Sequence, residues 1–556
     1  PGPAAATVSG APLSPGTPGA MKLDAYLRAS GLSITAFAQQ AGLSEAAISR
    51  YLSGKRSPRA DAIRRIVRAT RGRVQPEDLL PLLAVPQPGQ PGAADRAAGR
   101  PGRPGLLPEV ALESVDLVLP DLMAIARGKR IPGRDLAQIR AHGFRFPESM
   151  FSLDAMGRNV FGTGLVMETG DQDRPVMPVN GQVIPVPWGG DRRGLMLMTM
   201  RQEDGSPHFA DPRNALARVV DRLAADGFGA SVAVELEFYL LNRERDCAGR
   251  PQPAGLPPGI QGEEAGSTQI QAAALHRLEA FDPVLTAIAR GCDAMDMVVE
   301  SLCAEYAPGQ FEVNLRYVTD PMRAADEALL FRHLVRETAR RHGLQASFMS
   351  KPFGAWSGSG MHVHANLVDG QGRNIFARGD AATNRPLGHA IAGTAATMAE
   401  GMAIFAATAN AYRRFGPGSY VPVSACWGVD NRTVALRIPG GPARARRIEH
   451  RVAGAEANPY LVVAAVLAGM HHGIAGRLTP AAPARGDAAA GNDATGAPLL
   501  PLDWPSALQA HDAAAILPDY LGAAFWRLYG HVRRAEMARS QAMVPDTDYQ
   551  LYLDAL

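Results

Sequence analysis

Cysteine is scarce, with four in 556 residues (Cys247, Cys292, Cys303, Cys426) and no CxxC pair among them. That excludes a disulfide-built scaffold and the thiolate-rich zinc sites that CxxC spacing announces, and it points to a reducing, cytoplasmic setting. Long apolar runs are missing too. The longest, Leu461 to Met470, falls far short of the ~20 residues that a spanning helix needs, so no membrane segment is expected. The opening residues do not read as a secretory leader. Net charge is only +3, which excludes a polyelectrolyte acting through its whole surface.

The small average hides an asymmetry. Residues 21–80 carry 11 Lys/Arg against 5 Asp/Glu, whereas residues 1–20 carry no charge at all. That leader is Pro, Gly, Ala, Ser and Thr with hardly a large side chain, and is expected to be disordered. From Met21 the pattern becomes short helices. Leu23, Tyr26 and Leu27 mark the first. Ser33 caps a second, which Gly42 ends, and Ser44 caps a third over Glu45 to Leu52. A basic turn, Gly54-Lys55-Arg56-Ser57-Pro58, precedes a fourth over Asp61 to Thr70. Two short helices joined through a glycine and followed by a basic loop make a helix-turn-helix. The stretch "FAQQAGLSEAAISRYLSGKRSPRADAIRRI" resembles phage-repressor-like domains of that kind. The resemblance implies DNA binding through residues 21–80. Ser44, Glu45, Ala46 and Ser49 would face base edges, and Arg50, Lys55 and Arg56 would meet phosphates. Residues 81–106, rich in Pro, Gly and Ala, read as a flexible linker.

Past the linker the texture turns to strands. "VDLVLPDLMAIARGKRIP" reads as an apolar strand followed by a basic loop. "SMFSLDAMGRNVFGTGL" reads as strand-turn-strand, and Gly181–Trp188 and Leu195–Met200 add more. A small β-rich domain over 107–212 is expected, then a larger one over 213–556, with helices at 214–225, 280–289, 324–342 and 505–540. The class is α+β.

The residues Val232 to Leu240, "VAVELEFYL", form a buried strand with two carboxylates inside it. Glu235 and Glu237 are two apart, so they project from one face. Unpaired charges there would cost several kcal/mol each. Arginine salt bridges would neutralise them, and so would a divalent cation. Further candidate ligands lie in otherwise apolar segments: Glu305 and Glu312 in "EYAPGQFEVNLRY", His362 in "GSGMHVHANL", and Glu449 between arginines in "ARRIEHRV". Oxygen-rich ligation with an imidazole suits Mg²⁺ or Mn²⁺ rather than a structural zinc. Arg413, Arg414, Arg432, Arg437, Arg446, Arg447 and Arg451 concentrate nearby, as phosphate and carboxylate recognition requires.

These stretches, with "LPDLMAIARGKRIP", "ADPRNAL", "KPFGAWSGSGMHVH", "NAYRRFGPGSYVPV", "DNRTVALRIP" and "ANPYLVVAAVLAG", resemble the glutamine synthetase family from about Leu107 to the C-terminus. The resemblance implies a glutamine-synthetase-like fold, with a β-grasp domain preceding an antiparallel-sheet catalytic domain. It also implies stacked homo-oligomeric rings with active sites at subunit interfaces. Glu237, Glu305 and Glu312 would hold one metal ion, and Glu235, His362 and Glu449 another. Arg432 and Arg447 would meet ATP phosphates, with Tyr317, His364 and Asn366 lining the nucleotide pocket. Arg414, Arg437 and Arg451 would contact glutamate or the transferred phosphoryl group, and Gly358 the substrate's amino-acid end. The implied chemistry is ATP-dependent: the γ-carboxylate of glutamate takes the γ-phosphate, then an amine nitrogen displaces it.

Two departures bear on that nitrogen. True glutamine synthetases carry Pro-Gly-Tyr-Glu-Ala-Pro in the flap, with the Glu over the ammonium ion. Here Pro417-Gly418-Ser419-Tyr420-Val421-Pro422 puts Tyr420 in its place. The Asp-Gly-Ser-Ser segment is likewise replaced around Phe151-Ser152-Leu153-Asp154, with Asp154 a weak candidate substitute. The combination resembles the γ-glutamylpolyamine synthetase branch, and the expected acceptor is a polyamine or another primary amine. The alternatives are glutamine synthetase proper, using ammonia, and a DNA-binding regulator that uses its ligase domain as a metabolite sensor.

Overall fold

The computed structural model describes residues 23–52, 60–70, 73–74, 112–190, 192–246, 249–255, 271–379, 383–416, 419–488 and 496–556. The leader, the linker, Lys55, Arg56, and Pro417-Gly418 of the flap lie outside them. The chain divides into two compact units, residues 1–101 and 102–556.

The first unit contains α1 (Leu23–Ser30), α2 (Ile34–Ala41), α3 (Glu45–Leu52) and α4 (Ala60–Ala69). The Ser33 side chain accepts the Ala36 N–H at the start of α2, and Gly42 ends it at φ 65°, a left-handed conformation that glycine adopts without strain. Ser44 accepts the Ala47 N–H in the same way at the head of α3. Leu23, Leu27, Phe37, Ile48 and Ile66 close a small core between the helices.

The second unit holds two sheets. The smaller runs in the order β2-β1-β6-β4-β3, with β5 beside β6. Its strands are β1 (Ser114–Pro120), β2 (Ala126–Pro132), β3 (Phe144–Pro147), β4 (Asp173–Pro178), β5 (Ile184–Pro185) and β6 (Arg193–Met200). Strands β1 and β6 are parallel, and α5 (Leu136–His142) packs beside β4. The basic segment expected as a loop is strand β2. It pairs antiparallel with β1 along its whole length. Its exposed Lys and Arg side chains are those of an edge strand kept from pairing with another chain. The expected strand-turn-strand over 149–165 is instead a short 3-10 helix, Glu148–Ser152, followed by turns with the single bridge Leu153–Asn159. The run Gly181–Trp188 yields only the two-residue β5 and another 3-10 turn.

The larger sheet runs β13-β14-β15-β12-β7-β10-β9, with β8 and β11 also on β7. Strand β7 (Gly229–Arg245) is the longest and lies inside the sheet, flanked by β12 (Met361–Val368) and β10 (Gln310–Leu315). The other members are β8 (Pro251–Pro253), β9 (Val299–Ala304), β11 (Leu344–Ser347), β13 (Trp427–Val429), β14 (Leu436–Ile438) and β15 (Ile448–His450). Alternation along β7 sends Val232, Val234, Leu236, Phe238 and Leu240 into the core against α6 (Pro212–Ala225) and α7 (Pro321–Arg341). The opposite face is left for Glu235 and Glu237. One continuous core extends from Leu112 to Val532, so the two sheets share their packing.

Among the described residues no helix is long and apolar enough to cross a membrane. The apolar run 461–470 belongs to α9 (Pro459–Ala475), which is buried nearly all round, as a helix without a polar face must be. It crosses α8 (Arg385–Ala396) so closely that a side chain at Gly393 or Gly473 would collide with the facing backbone.

Candidate active site

The antiparallel register of the larger sheet brings the candidate residues together. Across β10, β7 and β12, Glu312 lies opposite Glu237, and Glu235 opposite both Asn314 and His362. Across β12, β15 and β14, His364 lies opposite Glu449, and Glu449 opposite Arg437. Neighbouring strands are ~4.8 Å apart, so one sheet face carries four carboxylates and two imidazoles in adjacent rows. Glu305 joins them from the end of β9, just before the Ala307-Pro308-Gly309 turn that leads into β10.

Their protonation energetics differ sharply. Burial alone would raise the Glu235 carboxyl, but hydrogen bonds with His362 (2.8 Å) and His364 (3.1 Å) hold it well below the ordinary range. Burial and then the Glu237 charge push Glu305 up to about 7. Burial and then the charges of Glu235 and Glu237 push Glu312 up to about 10. Glu237 accepts the Gly360 N–H at 2.8 Å. Carboxylates crowded on one face with little cationic compensation are an electrostatic demand for a cation. The donors, oxygens with an imidazole, suit a hard divalent ion. Among the described residues, no three His, Cys, Asp or Glu side chains converge on one point as they stand. The chemistry of the donor set fits such an ion.

Glu449 behaves differently from the other acids. It is 1 % exposed, and its two oxygens accept from Arg451 Nη1 and, at 2.8 Å, from Arg437 Nη1. Burial would raise its carboxyl, yet the charges of His364 and Arg451 hold it at about 2. The ion-pair reading of this residue and the ligand reading thus meet on one side chain. Glu449→Ala is expected to cost about 3–5 kcal/mol, because Arg451 is left buried without its counter-ion. Thermal or urea unfolding reads this directly, and an unchanged midpoint would refute it.

The nucleotide candidates form a second cluster. Arg447 Nε donates to His364 Nδ1 at 3.2 Å, and its guanidinium lies 5.5 Å from the centre of the Tyr317 ring. Tyr317 sets its edge against His364, at 6.3 Å between centroids. Among the described residues the Tyr317 hydroxyl and Asn366 Oδ1 are buried without a hydrogen-bond partner, as groups awaiting a ligand would be. Arg432 stands apart from this cluster. It is exposed, and its charge acts on Tyr306.

Arg414 and Gly358 are packed together. A side chain at Gly358 would lie 2.7 Å from the Ser350 carbonyl oxygen and 2.8 Å from Arg414 Cγ, so only glycine fits. Arg414 is buried, donates to the Val452 carbonyl at 3.0 Å, and leaves its Nε unpartnered among the described residues. Gln310 Nε2 holds the Gly358 carbonyl at 3.0 Å. The sequence reading did not single Gln310 out, although it sits in the same "GQFE" stretch as Glu312.

Tyr420 is 55 % exposed, and its ring lies 6.2 Å from that of Tyr306, itself 41 % exposed. Tyr306 also went unnoticed in the sequence, and its only signal was its position directly after Glu305. Asp154 is fully buried and is taken by the Met156 and Arg158 N–H groups and by Arg539. It is a structural anchor for its own turn and not a free carboxylate. In the first unit Ser44, Glu45, Ser49 and Arg50 are exposed on or beside α3, with Glu45 accepting from the Thr35 hydroxyl at 3.0 Å.

The model of the glutamine synthetase catalytic domain matches residues 209–552, more than half of the chain. The chain belongs to the glutamine synthetase family. It is an ATP-dependent ligase that acts on glutamate and a nitrogen nucleophile, and the family implies use of a divalent metal. A helix-turn-helix domain model matches residues 22–80. The γ-glutamylputrescine synthetase PuuA of Escherichia coli (strain K12) is 38 % identical over 439 residues, covering 79 % of this chain and 91 % of that protein. The γ-glutamylethanolamide synthetase GlnA4 of Streptomyces coelicolor is 31 % identical, covering 68 % of this chain and 79 % of its own. A solved GmaS/ADP complex superposes with a TM-score of 0.70 at 27 % identity, over 80 % of this chain and 97 % of that one.

Proposed function

We propose that this ligase joins the γ-carboxyl of glutamate to a primary amine of the polyamine or alkylamine class, through γ-glutamyl phosphate. One observation carries the choice of amine. The flap position that holds a carboxylate in ammonia-using members is Tyr420, and it pairs with Tyr306 directly beside Glu305. Two aromatic rings offer an alkyl ammonium both apolar area and a negative π-face. They do not offer the charge that would desolvate NH₄⁺. Relatives named for putrescine, isopropylamine and ethanolamide synthesis support the same reading.

In this reading Glu235, Glu237, Glu305, Glu312, His362 and Glu449 hold two Mg²⁺ or Mn²⁺ ions, which neutralise phosphate charge when bound. Tyr317, His364 and Asn366 seat the nucleoside, and Arg447 and Arg432 its phosphates. Arg414, Arg437 and Arg451 orient glutamate and stabilise the negative charge that builds on the transferred phosphoryl group. Rings of copies with shared active sites, and a cytoplasmic location, belong to the same proposal. The test is turnover of the full chain with glutamate, ATP and a panel of amines. Putrescine or another primary amine should be used in strong preference to ammonia. Turnover with ammonia alone would refute the proposal.

A second reading rests on residues 22–80: the chain also binds DNA. The full chain should bind duplex DNA with a salt-dependent affinity. Arg50→Gln should reduce the slope of log K against log salt by about 1. An unchanged slope would remove Arg50 from the phosphate contacts. If the ligase unit served only as a sensor, Glu305→Ala would keep the metabolite response of DNA binding.

A further inference from the structure

Gln310 opens β10 and is 1 % exposed. Its main chain and its side chain hold the same turn. The Gln310 N–H donates to the Ala307 carbonyl at 3.1 Å, and the Gln310 carbonyl accepts the Glu305 N–H at 2.9 Å. The side-chain Oε1 accepts the Ala307 N–H at 3.3 Å. The turn closed in this way carries Glu305 and Tyr306, the carboxylate and the ring that the proposed function sets beside the nitrogen donor.

The other end of the same amide reaches a different loop. Nε2 donates to the Gly358 carbonyl at 3.0 Å and to Ser359 Oγ at 3.4 Å. A backbone N–H can only donate and a carbonyl can only accept, so these partners fix Oε1 on the turn and Nε2 on the loop. The loop is fastened to the sheet at two further points. The Tyr239 hydroxyl donates to the Ser357 carbonyl at 2.6 Å, and the Gly360 N–H donates to Glu237 at 2.8 Å. Tyr239 lies directly opposite Gln310 across β7 and β10. Side chains on two paired strands therefore hold the backbone from 357 to 360, and one of them also holds the turn at 305–307. Such fastening matters to a reaction between two bound partners, since a misplacement of about 1 Å can cost on the order of a hundredfold in rate.

We infer that Gln310 is a positioning residue that sets the distance between the two reactants, by tying the glutamate loop at Gly358 to the turn that carries Glu305 and Tyr306. The inference rests on the proposed function for what each side holds. Steady-state kinetics of the full chain, with separate KM values for glutamate, ATP and the nitrogen donor, test it. Gln310→Met has the same length with neither the amide donor nor its acceptor. It should raise KM for glutamate and for the nitrogen donor at least tenfold each, with KM for ATP within twofold. General loosening of the fold would move all three. Tyr239→Phe removes one hydroxyl on the loop side alone, and tests the loop even if Gln310→Met does not fold. It should raise KM for glutamate about threefold and leave that for the nitrogen donor in place. Unchanged values for both reactants in Gln310→Met, a rise in only one of them, or an equal rise for ATP would overturn the inference. So would a Tyr239→Phe protein with an unaltered KM for glutamate. If the unsubstituted chain uses ammonia alone, the proposed amine fails, and the same comparison made with ammonia still decides the role of Gln310.

Discussion

Glu305→Ala should lower amine-dependent phosphate release by at least a thousandfold, a loss of about 4 kcal/mol of transition-state stabilisation. Two features set this residue apart. Among the described residues its carboxyl meets only the Tyr306 backbone N–H, and burial, then the Glu237 charge, pushes it up to about 7. It contributes little to holding the sheet and adds to the crowding of negative charge on its face. Removing it should leave the melting temperature of the metal-free protein the same or higher, in contrast to the loss expected for Glu449→Ala. Mg²⁺ or Mn²⁺ should raise the melting temperature of the unsubstituted chain by binding the folded state alone, and should do so less in the variant. A Glu305→Ala protein that melts normally yet retains a tenth of the activity would show that the cluster is a structural feature and not a site.

The strand at the centre of this argument was legible because two periodicities coincide in it. Apolar residues at every second position of 232–240 require a half-buried strand, and the two acids fall on the other phase. The helix-turn-helix was legible through its caps, since Ser33, Gly42 and Ser44 each do what a helix end needs. Strand β2 was not. Its Gly-Lys-Arg content is loop-like in isolation, and only pairing with β1 makes it extended. The turns at 153–163 failed in the opposite sense: Val160 reaches the shared core and Leu153 packs against it, but Met156 and Phe161 are exposed and the stretch forms one bridge in place of a ladder. Within the site, sequence spacing placed Glu235 with Glu237 but could not show which partner each would take. His362 and His364 both turn to Glu235, and Arg437 with Arg451 closes on Glu449. The second of these choices depends on the local pairing of β14 with β15, the first on the register between strands more than a hundred residues apart. Tyr306 was invisible for the same reason: its partner, Tyr420, is 114 positions away along the chain.

Tyr420→Glu should reverse the preference between nitrogen donors. With the ring present, an alkyl amine can set its methylenes against Tyr306 and Tyr420, and its ammonium group near Glu305. Replacing the ring by a carboxylate removes that apolar area. It adds a negative charge that a bare NH₄⁺ can use and that a longer amine has to displace. The expected outcome is a fall of about a hundredfold in kcat/KM for putrescine, close to 2.7 kcal/mol, with a rise in turnover on ammonia. Tyr306→Ala should weaken putrescine in the same direction without helping ammonia, since it takes away the surface and adds no charge. The pair of substitutions distinguishes a role for the rings from a role for the flap backbone. If the surface of the two rings selects the amine, the double variant Tyr306→Ala/Tyr420→Ala should lose little more than the worse single one, because each ring supports the other. If putrescine and ammonia kinetics stay level across all these variants, the amine is chosen elsewhere in the chain, and Tyr420 is only the residue that happens to stand in the flap.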